Sequence, residues 1–252
     1  MLFSQRAGGS SPPPAETIVR TALGTAVGQG LVLTKTGVNV AAGSYLFVAV
    51  GSFTMRELSF DVSCIALNGT ADFAIVPFDP MNREPFDPMN TEIETANLSI
   101  GFMVYRHCPT EIVNGTVRID FFENDQRAHE TPCLMMLSAV SGLAATSPLD
   151  RHKGAADHSN APSTGATATT SQAHEYVVGL LVTEEWWTGS PPAGTWASPM
   201  EAGQRIGGDF EDAGFTVAEG FYVQTTAATA TAAKTGMDRT QWAIGVATFK
   251  AA

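Results

Sequence analysis
The sequence predicts an all-β protein, an antiparallel jelly-roll-like β-sandwich preceded by an extended arm. Three observations carry that expectation. Short apolar segments recur along the chain with strand-like alternation. Two Asn-Gly pairs, Asn68-Gly69 and Asn114-Gly115, offer residues that tolerate positive φ, the strongest hairpin signal. No segment carries a 3.6-residue apolar stripe long enough for a core helix.

The arm is residues 1–16. Gly8, Gly9, Ser10 and Ser11 lead into Pro12, Pro13 and Pro14, which fix an extended backbone and block helix. Leu2 and Phe3 sit at its tip. An arm with no core of its own, stiff near its base and apolar at its end, suits an anchor on a neighbouring subunit. The opening residues run into Gly and Pro rather than an apolar stretch, so no secretory signal is expected.

Residues 17–252 form the expected sandwich. Leu31 to Thr34 is a strand followed by a turn around Lys35 to Gly37. Residues 45–50 and 176–182 are apolar on both faces, as in central strands. Residues 59–67 end at the first Asn-Gly pair. After the second, Val117, Ile119 and Phe121 alternate with Arg118 and Asp120, giving one buried and one mostly wet face. Segments 134–140, 221–225 and 242–249 bring the total to about ten strands.

Three stretches read as loops. In the first, Pro77-Phe78-Asp79-Pro80-Met81-Asn82 recurs as Pro85-Phe86-Asp87-Pro88-Met89-Asn90, a local duplication expected to be exposed and tolerant of length. The second, 146–173, is rich in Ala, Ser, Thr, Gly and Pro and is expected on the surface. The third, 184–214, holds Trp186, Trp187 and Trp196 among glycines and prolines. These three are either a lid folded back on the sandwich edge or a contact for a partner or glycan, because sugars stack on exposed rings and interfaces favour Trp.

Composition narrows the function classes. Net charge is −11, from 25 acidic and 14 basic residues, with no basic stripe, so nucleic acid is not the expected partner. Only 15% of residues are charged, which leaves the surface to Thr, Ser, Gly and Ala. No apolar run approaches the length of a membrane-spanning helix. Cys64, Cys108 and Cys133 are odd in number and lack paired spacing, so they are expected to be reduced and buried.

Catalytic and metal motifs find no support. His107, His129, His152, His158 and His174 show no ligand spacing. Gly28-Gln29-Gly30 lacks the third glycine of a phosphate loop, since position 33 is Leu. No serine sits in a nucleophile elbow. Glu184 and Glu185 are adjacent and would point to opposite faces of a strand, and Asp209, Glu211 and Asp212 carry no further signature. The expectation is a protein with no enzyme activity, cofactor or metal.

One resemblance follows from the order of motifs. Ser138-Ala139-Val140-Ser141-Gly142, Pro148-Leu149-Asp150, Ala161-Pro162-Ser163-Thr164-Gly165, the segment 169–179 and the closing strand 241–250 resemble jelly-roll, concanavalin-like sandwich domains of bacteriophage virion and bacterial surface proteins. Leu46 to Val50 and Leu67-Asn68-Gly69-Thr70 sit where such domains have early strands and a hairpin. The resemblance covers most of residues 17–250. It implies a capsid decoration, cement or head-spike protein, made in a host cytoplasm and carried in the virion. Its partners would be the major capsid protein or neighbouring copies in a homo-oligomer. The alternative is a carbohydrate-binding or host-recognition module of a tail fibre or bacterial surface.

Overall fold
The computed structural model describes residues 17–29, 32–54, 58–59, 65–78, 98–120, 122–123, 132–185, 194–210 and 213–252. Among them there are strands and no helix. The arm, Cys64, Trp186, Trp187 and the duplicated loop beyond Phe78 lie outside the described residues.

Three antiparallel sheets stack face to face. The central sheet has the order β1-β10-β3-β7-β6, from Val19–Gln29, Pro132–Ser141, Ser44–Thr54, Leu98–Cys108 and Ala74–Val76. A small sheet, β2-β8-β5, covers one face with Val32–Val40, Ile112–Asp120 and Ile65–Leu67. A two-residue pair, β4 (Leu58–Ser59) with β9 (Phe122–Glu123), forms a sheet of its own. A flanking sheet, β11-β17-β12-β15-β14, covers the other face with Leu149–Ser159, Thr240–Lys250, Glu175–Glu185, Ala213–Gln224 and Glu201–Phe210. A short pair, β13 (Thr195–Trp196) with β16 (Lys234–Thr235), lies beyond it.

The alternation along β3 explains the stacking. Tyr45, Phe47 and Ala49 face the flanking sheet, and Leu46, Val48 and Val50 face the small one. On β10, Leu134, Met136 and Val140 take the first side while Cys133, Met135 and Leu137 take the second. Strand β12 repeats the device, with Tyr176, Val178, Leu180 and Val182 inward and Val177 and Leu181 outward. Segments apolar on both faces are therefore strands with a layer on each side.

The strand order of a jelly roll lies in the first half of the chain. Counting β1, β2, β3, β5, β6, β7, β8 and β10 as its eight strands, the sheets run 1-8-3-6 and 2-7-4. One strand departs: β6, due beside β5, pairs with β7 instead. Residues 149–250 add the third sheet, so the fold has one layer more than a two-sheet sandwich.

Several local expectations change. Asn68 (φ 51°) and Gly69 (φ 81°) do make a hairpin turn, closed by Leu67–Thr70 hydrogen bonds in both directions (3.1 and 3.0 Å). Asn114-Gly115 does not. Asn114 (φ 53°) lies within β8, opposite a register shift at Val38/Val40, and its N–H donates to Asn39 Oδ1 at 2.8 Å. The positive φ serves an irregular ladder there rather than a turn. Lys35 to Gly37 is likewise inside β2. Two of the expected loops contain long strands: β11 occupies eleven residues of 146–173, and β14 ten of 184–214.

Close approach between the layers rests on glycine. A Cβ on Gly51 of β3 would stand 2.2 Å from Val217 Cγ2 and 3.0 Å from Val182 Cγ2. The Phe78 ring lies on Gly245 of β17, where a Cβ would meet it at 2.6 Å. Both thiols among the described residues, Cys108 and Cys133, are buried as expected. Burial pushes the Cys133 thiol up to about 12, against a weak contact with Ser52 Oγ.

The Gly51 contact gives a direct test. Gly51→Ala should cost about 1–3 kcal/mol by overpacking. Val217→Ala in the same chain should return part of that loss, because the methyl that Gly51 avoids is then gone. Urea unfolding of the single and double variants measures both, and strictly additive losses would contradict the contact.

Candidate functional site
The outer face of the flanking sheet carries the most organised surface chemistry. Its centre is apolar: Leu181, Ala218, Ile244 and Val246 form a third core with Trp196, Met200, Ala230 and Ala232 from the covering segments. Gly179 and Gly220, directly paired across β12 and β15, open a trough in it. Met200 fills the trough over Gly179, and the Trp196 indole lies on Gly220, where a Cβ would approach it to 2.7 Å. Trp196 is 7% exposed, with Lys234 Nζ 5.2 Å from its ring centroid. Trp196 is thus folded back on the outer face of the flanking sheet.

The covering layer is built by threonine. Thr164, Thr167 and Thr170 recur every three residues and are buried. Ala232, Ala230 and Ala228 oppose them at every second residue. The N–H groups of Thr164, Thr167 and Thr170 donate to the carbonyls of Ala232, Ala230 and Ala228 at 2.9, 2.9 and 3.0 Å. The N–H groups of those alanines donate back to the threonine Oγ1 atoms at 3.1, 3.0 and 3.3 Å. Each hydroxyl thus takes the place of a backbone carbonyl. It passes its own proton onward, to Gly165 O, Ala168 O and Gln172 O at 2.8, 2.8 and 3.0 Å. A ladder between a period of three and a period of two results, with its buried polar groups satisfied.

Cations on edge strand β11 bind the other side of this layer. Arg151 Nε donates to Thr169 O at 2.9 Å, and Lys153 Nζ to Ala166 O at 3.1 Å. The expectation of a polar surface loop at 146–173 is corrected accordingly. Small size lets the segment pack flat on the sheet, and hydroxyls let it do so without strand geometry.

Beside the layer lies a groove of about 470 Å³. Ser198, Pro199, Tyr222, Val223, Thr229 and Thr231 line it, and the cis Ser198-Pro199 bond borders it. Its lining carries hydroxyls, methyls, one phenol and the Gln224 amide, and no charged side chain.

Two buried charged clusters bracket the flanking sheet. On its inner face, Arg20 of β1 pairs with Glu219 of β15. Arg20 Nε donates to Glu219 Oε1 at 3.0 Å, and Arg20 Nη2 makes a second, shorter contact with Glu219 Oε2. Ser138 Oγ reaches Oε1 at 3.4 Å, and the guanidinium stacks 4.6 Å from the Phe221 centroid. Burial first, then the Glu219 charge, holds the neighbouring Tyr176 phenol well above its usual range. The forked geometry fixes β1 against the flanking sheet.

On the outer face, Glu175 begins β12 with no exposed surface, and neither carboxylate oxygen makes a hydrogen bond of good geometry. The Asp150 carboxylate interacts with it side chain to side chain; it is 6% exposed, accepts the Ser171 N–H at 2.6 Å and lies 3.7 Å from Arg151 Nη1. Burial raises the Glu175 carboxyl to about 7; the nearby Thr248 hydroxyl opposes the rise and Asp150 adds to it. Burial also works against ionisation of Asp150, but the Ser171 amide and hydroxyl, Glu175 and Arg151 together hold it below the ordinary range. At pH values below about 7 Glu175 therefore holds its proton while Asp150 is the more readily ionised, the division expected of two acids that share a site.

The sequence reading missed both the ladder and the acid pair. The ladder had a visible trace in Thr164, Thr167 and Thr170 against the alternating Ala228 to Ala232. The acid pair had none, because Asp150 and Glu175 lie far apart along the chain. No family model matches this protein, and neither a curated protein nor a solved structure matches it.

The ladder predicts a sharp distinction between two conservative changes. Thr167→Val keeps the shape but removes the acceptor of the Ala230 N–H, and should cost about 1–3 kcal/mol. Thr167→Ser keeps the hydroxyl and should cost much less. Thermal melts of the two variants decide, and equal losses would mean that the methyl, rather than the hydroxyl, holds the layer.

Proposed function
We propose that this protein is a non-enzymatic structural component of a virus particle, a capsid decoration, cement or head-spike protein of a tailed bacteriophage. The observation that carries the reading is β1. It ends the order of the central sheet, so one side of this eleven-residue strand has no partner strand in that sheet among the described residues. Val19 and Val27 on it are each 51% exposed. In sequence the arm is separated from β1 only by Thr17 and Ile18, so in this reading arm and edge strand serve attachment together. A partner strand can extend such an edge through main-chain hydrogen bonds. The bulge between Ala22 and Gly24, with Gly24 at φ +100°, interrupts the ladder and guards against indefinite stacking. The jelly-roll strand order suits the reading, since viral capsid domains use it.

The partners in this reading are the major capsid protein and neighbouring copies, with the arm (Leu2, Phe3 and the Pro12 to Pro14 spacer) as the anchor. Many weak attachments repeated over a lattice add up to firm binding. Removing residues 1–14 should leave a folded sandwich with an unchanged melting curve that no longer co-sediments with particles lacking the protein. Equal sedimentation of full-length and truncated chains would move the attachment surface elsewhere.

The groove beside the threonine layer favours a second reading, a carbohydrate-binding or host-recognition module. Uncharged hydroxyls around one phenol suit a neutral sugar, and the volume falls in the range of small-ligand sites. Glycan-array binding that is lost in Tyr222→Ala would favour this reading over the first.

A further inference from the structure
Asp150 and Glu175 stand where four segments meet. Asp150 is the second residue of β11, Ser171 and Gln172 end the threonine layer, Glu175 begins β12, and Thr248 and Lys250 lie at the end of β17. Cross-strand pairing puts Lys250 and Gln224 beside Glu175 on the outer face. The last rung of the ladder is tied to the same place, because Gln224 Nε2 donates to Thr170 Oγ1 at 2.8 Å. Residue 251 is tied to the same place, with Ala251 N–H donating to His174 O at 3.0 Å and Gln172 Nε2 to the same carbonyl at 2.7 Å. A carboxyl buried at such a junction, without good hydrogen bonds and against a second carboxylate, tolerates one negative charge in the pair far better than two.

We propose that the Asp150–Glu175 pair is a proton-controlled latch: one shared proton holds the end of the threonine layer against the flanking sheet, and loss of that proton loosens residues 170–176 together with the end of β17. The inference stands independently of the particle assignment. Among the described residues, the charged and titratable groups next to the pair in sequence or register are Arg151 on β11, His174 in the connecting segment and Lys250 on β17. Arg151 is engaged with the Thr169 carbonyl and the Asp150 backbone carbonyl, as well as lying near the Asp150 carboxylate.

The direction follows from linkage. The Glu175 carboxyl, raised in the folded protein from its ordinary 4.5 to about 7, binds its proton more tightly folded than open. The stability it contributes is fully present below about 4.5 and is lost as pH rises through about 7. Local opening should therefore grow with pH by up to about tenfold per unit inside that window and level off above it.

Amide hydrogen exchange of the full chain between pH 5 and pH 8.5, corrected for intrinsic rates, reads this directly. In the wild type, residues 170–176 and 248–252 should lose protection by more than about tenfold between pH 5 and pH 7, while the centre of β3 stays constant. In Glu175→Gln, which keeps shape but cannot ionise, the dependence should vanish and protection at pH 8 should exceed that of the wild type. Asp150→Asn removes the neighbouring charge and should weaken the dependence without abolishing it, which keeps the test decisive if the first variant fails to fold. His174 is retained in both variants, so a pH dependence due to it would persist in Glu175→Gln. The same pH profile in wild type and Glu175→Gln, or in wild type and Asp150→Asn, would overturn the latch.

Discussion
The central sheet is covered on both faces, and most of the molecule follows from that constraint. A strand with a layer on each side cannot use alternation to hide polar residues, so both sets of side chains must be apolar and close-fitting. Tyr45 through Val50 meet this demand on β3, and Leu134 through Leu137 meet it on β10. The flanking sheet is covered twice as well, by the central sheet inside and by the threonine layer outside. Four layers stacked in this way bring strands very near one another, and glycine sets the distance at Gly51, Gly179, Gly220 and Gly245. These positions receive a neighbour's valine, methionine, tryptophan or phenylalanine where any other residue would place its own Cβ.

The same constraint decides where charge can go. A chain with so few charged residues still buries two charged clusters, and they behave in opposite ways. Arg20 and Glu219 neutralise each other through a forked contact, with Ser138 and the Phe221 ring around them. Asp150 and Glu175 share a sign, so their site is stable through a proton rather than a counter-ion. The first cluster fixes two sheets, while the second makes one edge of the fold responsive to its solution.

Much of the architecture was legible in the sequence, because doubly covered strands are long, apolar and free of breakers. Residues 45–50 and 176–182 announced themselves in that way. The first Asn-Gly pair did too, since Asn68 and Gly69 both need positive φ. Asn114-Gly115 misled because positive φ serves an irregular ladder as readily as a turn. Strands β11 and β14 were hidden for a different reason. Gly154, Ala155 and Ala156, like Gly207 and Gly208, make weak strand signals, and pairing with β17 and β15 supplies what their side chains do not. Trp196 looked like an exposed loop aromatic because nothing local reveals a glycine trough on a strand more than twenty residues downstream. Glu175 could not be singled out at all: its neighbour is a tertiary fact.

The threonine layer works as a vernier, two scales of different pitch read against each other. Three residues on one side advance as far as two on the other, and each coincidence is a rung. Such a scale can be extended only in whole divisions. A single added residue in either segment would bring an unmatched side chain to every later rung, whereas a Thr-x-x unit added together with an x-Ala unit would lengthen the layer by one complete step. The layer is therefore a part of this fold whose size can change in discrete increments while its bonding pattern stays the same.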